Sequence, residues 1–124
     1  MEKEFVPYQQ SVDLKELGFD EPCFSYYKND QLSDILEEVI NSKMRNVNNE
    51  IDDYISAPLY QQAFGWFREK YYLNSFIVDS KSYAWYFNIN DMQTDDVISE
   101  VLYFKKYEEA ELECLKKLIE IIKS

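Results

Sequence analysis

Residues 56–73, SAPLYQQAFGWFREKYYL, constrain the fold more than any other stretch of this chain. Apolar side chains recur at Leu59, Tyr60, Ala63, Phe64, Phe67 and Tyr71, with Trp66 on the flank, which is the spacing of a helix. The stripe is wide and aromatic, so this helix must be buried around most of its circumference. Ser56 reads as its N-cap, because a hydroxyl there accepts from an otherwise unpaired amide, and Pro58 suits the first turn. Asn74 tolerates the left-handed conformation and reads as the stop. The polar remainder is a narrow strip of Gln61, Gly65, Arg68 and Glu69, the place where an interaction surface on this helix would show. A mid-helix glycine costs about 1 kcal/mol relative to alanine. Gly65 therefore predicts close packing, with another backbone or a partner approaching there.

The rest of the chain supplies the surroundings. Residues 7–17 read as a short helix stopped by Gly18, with Phe19 reaching back onto Leu14 in a Schellman cap. Residues 23–27 read as a strand with Cys23, Ser25 and Tyr27 on one face, Phe24 and Tyr26 on the other, and both faces covered. Leu32, Ile35, Leu36, Val39, Ile40 and Met44 have the spacing of an amphipathic helix, followed by a loop over 46–53. Residues 76–78 begin a strand and 79–82 supply a turn. Tyr83, Trp85, Phe87 and Ile89 then alternate with Ala84, Tyr86, Asn88 and Asn90, as in a hairpin strand with one face buried and the other half wet. Residues 91–96 form an acidic loop, and 97–107 fit either a strand or a helix, the strand being preferred for its β-branched and aromatic content. The last element is a helix from Tyr107 with a stripe of Ala110, Cys114, Leu118 and Ile121, and with Glu113 and Lys117 as an i,i+4 pair. Pro7-Tyr8-Gln9-Gln10 and Pro58-Leu59-Tyr60-Gln61-Gln62 are two similar helix starts rather than a repeat. The pattern predicts a single α+β domain over 1–124: an antiparallel sheet of three or four strands with helices packed on one face.

Several chemistries lack their residues. There is no histidine in the chain, which removes Ser-His and Cys-His pairs, histidine-containing zinc sites and the usual general base near neutral pH. With 2 glycines, neither flanked by another, there is no phosphate-cradling loop. Cys23 and Cys114 lie too far apart in sequence for a zinc motif and read as buried free thiols in a reducing compartment. Asp91, Asp95, Asp96 and Glu100 form one acidic cluster and Glu50, Asp52 and Asp53 another. Neither has EF-hand spacing, so both read as solvated loops. No catalytic, cofactor-binding or metal-ligating residue is assigned. The N-terminus lacks the basic and apolar regions of a signal peptide, and no apolar run has membrane-spanning length, so the expectation is a soluble cytoplasmic protein.

Charge and aromatic content narrow the partner. The net charge is -11, with 13 acids against 5 bases in residues 1–55 and 11 against 8 in residues 56–124. Such a surface repels nucleic acid and anionic membranes and favours a protein with a basic surface. Among the 11 tyrosines, Tyr8, Tyr26, Tyr60, Tyr72 and Tyr86 are candidate surface anchors. The sequence therefore favours a non-catalytic protein-binding module. The alternatives are a nucleic-acid mimic that occupies the cleft of a host DNA- or RNA-binding enzyme, and a small carboxylate-dependent enzyme.

Three stretches also carry a resemblance: EFVPYQQSVDLKELGFDEPCF (4–24), ISAPLYQQAFGWFREKY (55–71) and YEEAELECLKKLIEII (107–122). Together they resemble a family of small uncharacterised proteins encoded by bacteriophages and prophages. The middle stretch is the most distinctive, and the family pattern has arginine where this chain has Gly65. The resemblance implies a mobile-element origin and a host-cell cytoplasmic location, and it brings no activity or functional residue.

Overall fold

The computed structural model describes residues 2–33, 48, 54–82, 84–98 and 102–124. The chain is α+β with antiparallel sheets, and it divides into two compact units, Met1–Tyr60 and Gln61–Ser124.

The first unit opens with a 3-10 turn, Glu2–Glu4, and helix α1, Tyr8–Glu16. Pro7 is the N-cap in extended conformation, so the helix starts just after it. Its end is the predicted one. Gly18 is left-handed at φ 95°, the Phe19 N–H bonds the Leu14 carbonyl at 2.9 Å, and the Gly18 N–H bonds the Lys15 carbonyl at 3.0 Å. Leu14 and Phe19 are both buried, as the apolar contact of this cap requires.

Strands β1 (Ser25–Lys28) and β2 (Gln31–Leu32) form a hairpin closed by Asn29 and Asp30, with φ of 52° and 64°. Two successive left-handed residues match the twist of the flanking strands. Strand β3 (Tyr54–Ala57) pairs antiparallel with the other side of β1. Two expectations are corrected here. Leu32 belongs to β2 rather than to a helix start, and the rest of that predicted helix lies outside the described residues, as does the 46–53 loop apart from Asn48. Ser56 is not a helix N-cap. It lies inside β3, where its N–H donates to Asn48 Oδ1 at 2.8 Å and its hydroxyl accepts from the Asn48 N–H at 3.3 Å.

The inner face of this sheet packs Tyr27 and Ala57 with Phe5, and Leu32, Ile55 and Leu59 close the cluster. The Tyr27 hydroxyl donates to the Val6 carbonyl at 2.8 Å, so its polar end is satisfied where it is buried. Cys23, Ser25 and Tyr27 are buried as one face, but Phe24 is exposed, so the second face of the strand is open rather than covered.

The second unit takes in helix α2, Tyr60–Tyr71. Like α1 it opens on Tyr-Gln-Gln. Ala63, Phe64, Trp66 and Phe67 are buried, the circumference the stripe predicts. The helix ends two residues earlier than Asn74 would end it. Tyr72 is the left-handed residue, φ 57°, and Asn74 lies inside strand β4, Leu73–Asp79. The hairpin register enforces this, because β4 pairs with β5 (Trp85–Asp91) from its first residue, and the Met92 N–H already bonds the Tyr72 carbonyl at 2.9 Å. The connecting turn holds Lys81 at φ 66°, with its N–H on Asp79 Oδ1 at 2.9 Å.

Strand β6 (Val97–Ile98) joins the far side of β5, and a bridge between Trp85 and Phe104 continues along that side. Of the strand preferred for 97–107, Val97–Ile98 are strand and Phe104 is an isolated bridge, whereas 105–106 are bends and Tyr107 opens the last helix; residues 99–101 lie outside the described residues. Helix α3, Tyr107–Lys123, packs across β4 and β5. It buries Ala110, Cys114, Leu115, Leu118 and Ile119. Glu113 pairs with Lys116 at 3.2 Å, and Lys117 with Glu120 at 3.4 Å, so the expected Glu113–Lys117 pair gives way to two i,i+3 pairs.

Candidate interaction surfaces

On α2, Gln61, Arg68 and Glu69 are exposed and Gly65 is half-buried, so the outer strip is open to solvent. Gly65 is not a point of close backbone approach among the described residues. A Cβ built there meets Arg68 Nη2 at 3.4 Å, the far end of a flexible side chain one turn on. Helical side chains lean towards the N-terminus, and the glycine leaves Arg68 room to fold back. The Arg68–Glu69 contact of 4.0 Å is solvent-exposed and worth little. Lys70 lies over the Trp66 ring at 5.0 Å and the Tyr71 ring at 5.5 Å, which anchors the end of the strip.

The tyrosine anchors separate into classes. Tyr8 and Tyr72 are exposed, Tyr26 and Tyr86 half-buried, and Tyr60 buried, which removes it as an anchor. Tyr26 stacks on Tyr54 at 4.9 Å, with Lys28 over the Tyr54 ring at 5.6 Å.

A surface the sequence reading did not single out lies on the sheet of the second unit. The register aligns Phe76 with Asn88, Val78 with Tyr86, Asn74 with Asn90, and Asn90 with Val97. Side chains alternate along a strand, so all seven share one face, opposite the face that carries buried Phe87 and Ile89. None of the seven is charged. Phe76 is 48% exposed and Val97 61%, and Tyr103, 63% exposed, packs edge-on against Tyr86. The signal was present in the sequence: Leu73, Ser75 and Ile77 point one way, which sends Phe76 and Val78 the other way.

The inner side of this sheet holds titratable groups. Burial pushes the Cys114 thiol up to about 12, with Glu111 adding to the effect and the Ser75 hydroxyl opposing it. Ser75 Oγ is buried without a partner at full hydrogen-bond geometry, so we read it as close to the thiol but misaligned. Burial likewise raises Tyr107, helped by Glu111, the carboxylate that accepts from its hydroxyl, and by Glu108. A nucleophilic cysteine needs a lowered pKa, and Cys114 has the reverse. Cys23 is also a buried free thiol.

An open groove of about 590 Å³ is lined by Asp79, Lys81, Trp85 and Lys105, which gives it a single carboxylate beside two lysines. Asp91 of the acidic loop is engaged locally: its Oδ1 accepts from the Gln93 N–H at 2.9 Å, and its carbonyl accepts from the Asp95 N–H at 2.8 Å. Among the described residues no three His, Cys, Asp or Glu side chains are grouped as a metal site would need, and no helix is long and apolar enough to cross a membrane. Glu100 and the Glu50–Asp52–Asp53 cluster lie outside the described residues. Comparison with protein-family models, curated proteins and solved structures returns no match to this chain.

Proposed function

We propose that this chain is a non-catalytic protein-binding module whose contact surface is the outer face of the β4–β5–β6 sheet. The observation that carries the reading is an uncharged face with Phe76, Val97 and Tyr103 each exposed by 48% or more, on a chain of net charge -11. Aromatic side chains ringed by asparagine supply apolar area with adaptable hydrogen bonding, the composition of interface centres. The charge is placed elsewhere: the first unit holds 13 acids against 5 bases. That excess steers a basic partner during encounter, while the neutral face holds it. The phage resemblance makes a bacterial lysate the source in which to seek the partner.

The test is affinity capture at low and high salt with wild type, Val97→Lys and a Gln61→Ala/Arg68→Ala double variant. The expected result is a partner lost with Val97→Lys, kept by the helix variant and retained at high salt. Capture unaffected by Val97→Lys refutes this surface. Capture that collapses with salt supports the nucleic-acid-mimic alternative, in which carboxylates stand in for phosphates.

A further inference from the structure

We infer that β4 is a self-pairing edge, at which two copies of this chain join their second sheets into one antiparallel sheet. The inference goes beyond the partner reading, because it uses the strand's edge rather than its outer face.

The ladder geometry identifies the free groups. The Met92 N–H bonds the Tyr72 carbonyl at 2.9 Å, and the Ser80 N–H bonds the Ala84 carbonyl at 3.0 Å. Hydrogen-bonded pairs in an antiparallel ladder recur every second residue. Residues 74, 76 and 78 therefore spend their backbone groups on β5, and Leu73, Ser75, Ile77 and Asp79 point theirs outward. Among the described residues no backbone partner meets those outward groups. On β5 the equivalent side is occupied: the Trp85 and Asp91 N–H groups bond the carbonyls of Phe104 and Asp96. Natural edges are usually blocked by charge, proline or a bulge. Residues 71–78, YYLNSFIV, contain no charge and no proline.

Charge selects a second copy in one register. With the two-fold axis at Phe76, Leu73 pairs with Asp79 of the partner subunit and Ser75 with Ile77 of the partner subunit, so every outward group is used. Asp79, the only charged residue of the strand, then sits roughly 20 Å from its own copy, about two Debye lengths at 0.1 M salt. Sliding the axis to Val78 brings the two carboxylates within roughly 7 Å and is disfavoured. On the axis, Phe76 faces its own copy across a non-hydrogen-bonded pair, where cross-strand side chains come closest. A strand of 7 residues is roughly 24 Å long, and with side chains about 10 Å to either side the contact hides about 1,000 Å² in total. That is the lower bound for a specific interface, so the dimer forms weakly and in proportion to concentration.

Sedimentation of the full chain from about 1 to 500 µM provides the test. The expected mass rises from 14.9 kDa to twice that value. Over the same range the amides of Ser75 and Ile77 gain exchange protection, while those of Asn74, Phe76 and Val78 stay protected throughout. Phe76→Lys places two lysines at the axis and shifts the dimer midpoint more than tenfold upward. Ser75→Pro removes an outward donor without touching the β5 ladder or any outer-face side chain, so it weakens the dimer while leaving partner capture intact. Val97→Lys does the reverse. A chain that stays at 14.9 kDa throughout, a dimer indifferent to both edge variants, or assembly beyond two copies overturns the inference.

Discussion

Replacing Gly65 by alanine is expected to stabilise the protein, and the size of the gain follows from the local geometry. Alanine is favoured over glycine by about 1 kcal/mol inside a helix, mostly because the unfolded chain loses freedom. Against this stands one contact, 3.4 Å from the new Cβ to Arg68 Nη2. The Arg68 side chain is 48% exposed and, among the described residues, held by the marginal Glu69 contact, so it swings aside at a cost of about a few tenths of a kcal/mol. The net gain is about 0.5–1 kcal/mol, read as a higher urea midpoint at unchanged slope. Trp66 and Trp85 report on the helix and the sheet, so fluorescence and circular dichroism give independent transitions. Combining Gly65→Ala with Arg68→Ala should preserve the gain, because among the described residues no other atom lies within 4 Å of the added methyl. A loss of 1 kcal/mol or more would falsify this reasoning, since it requires a second backbone against the helix at that point.

Other perturbations probe different joints. Asn48→Ala removes the 2.8 Å bond from the Ser56 N–H to Asn48 Oδ1 and the 2.9 Å bond from Asn48 Nδ2 to the Phe19 carbonyl, and keeps the bond from its own backbone N–H to the Ser56 hydroxyl. It leaves a buried strand amide unpaired, so a loss of about 2–3 kcal/mol is expected in urea melts, with Asn48→Asp intermediate. Gly18→Ala forces a Cβ into the left-handed cap at φ 95° and should cost about 1–2 kcal/mol, seen as a lower melting temperature. For Cys114, folding holds the thiol protonated up to about 12 against an ordinary value of 9.0. Its contribution is therefore complete below the ordinary value and declines as pH rises towards the folded one, by about 1.4 kcal/mol per pH unit. Urea midpoints of wild type and Cys114→Ala at pH 8 and 10.5 should converge as the pH rises. A pH-independent difference between them excludes the buried thiol as the cause.

How much of this was legible depended on whether the deciding contact was local. The Schellman cap at Gly18 and Phe19 was readable because all of its partners lie within one turn. The hairpin of residues 73–91 and helix α3 were readable because each has a long uninterrupted period. Strand β3 was not, because Tyr54–Ala57 has only four residues and Ser56 is equally suited to capping a helix. What decides its role is Asn48, eight residues away, together with the register against Tyr26. The β1–β2 hairpin carried a readable sign in Asn29-Asp30, two residues that both tolerate left-handed backbone. The apolar spacing from Leu32 onward masked it. Reading one helix for its polar strip pointed to Gln61, Gly65, Arg68 and Glu69, of which three are exposed and Gly65 is half-buried. The exposed apolar face arises instead from three strands in register, which no single stretch displays.

The two sheets treat their borders differently. At β3 the Tyr54 carbonyl accepts from Lys15 Nζ at 3.0 Å, Ser56 is bound to Asn48, and the Pro58 carbonyl accepts from the Val6 N–H at 2.8 Å. Residues of the acidic unit thus close its own border with side chains and with the segment before α1. At β4 the outward groups meet no such closure among the described residues, and no charge lies between Lys70 and Asp79 to keep another strand away. An edge of this kind survives in a soluble chain only if something limits how far pairing propagates. Two-fold pairing supplies that limit, because it uses β4 twice and leaves β6 and the Phe104 bridge at the outer borders. The net charge of -11 adds a repulsion between copies that opposes further stacking of dimers. Two-fold pairing at β4 therefore gives the proposed self-association a closed end point.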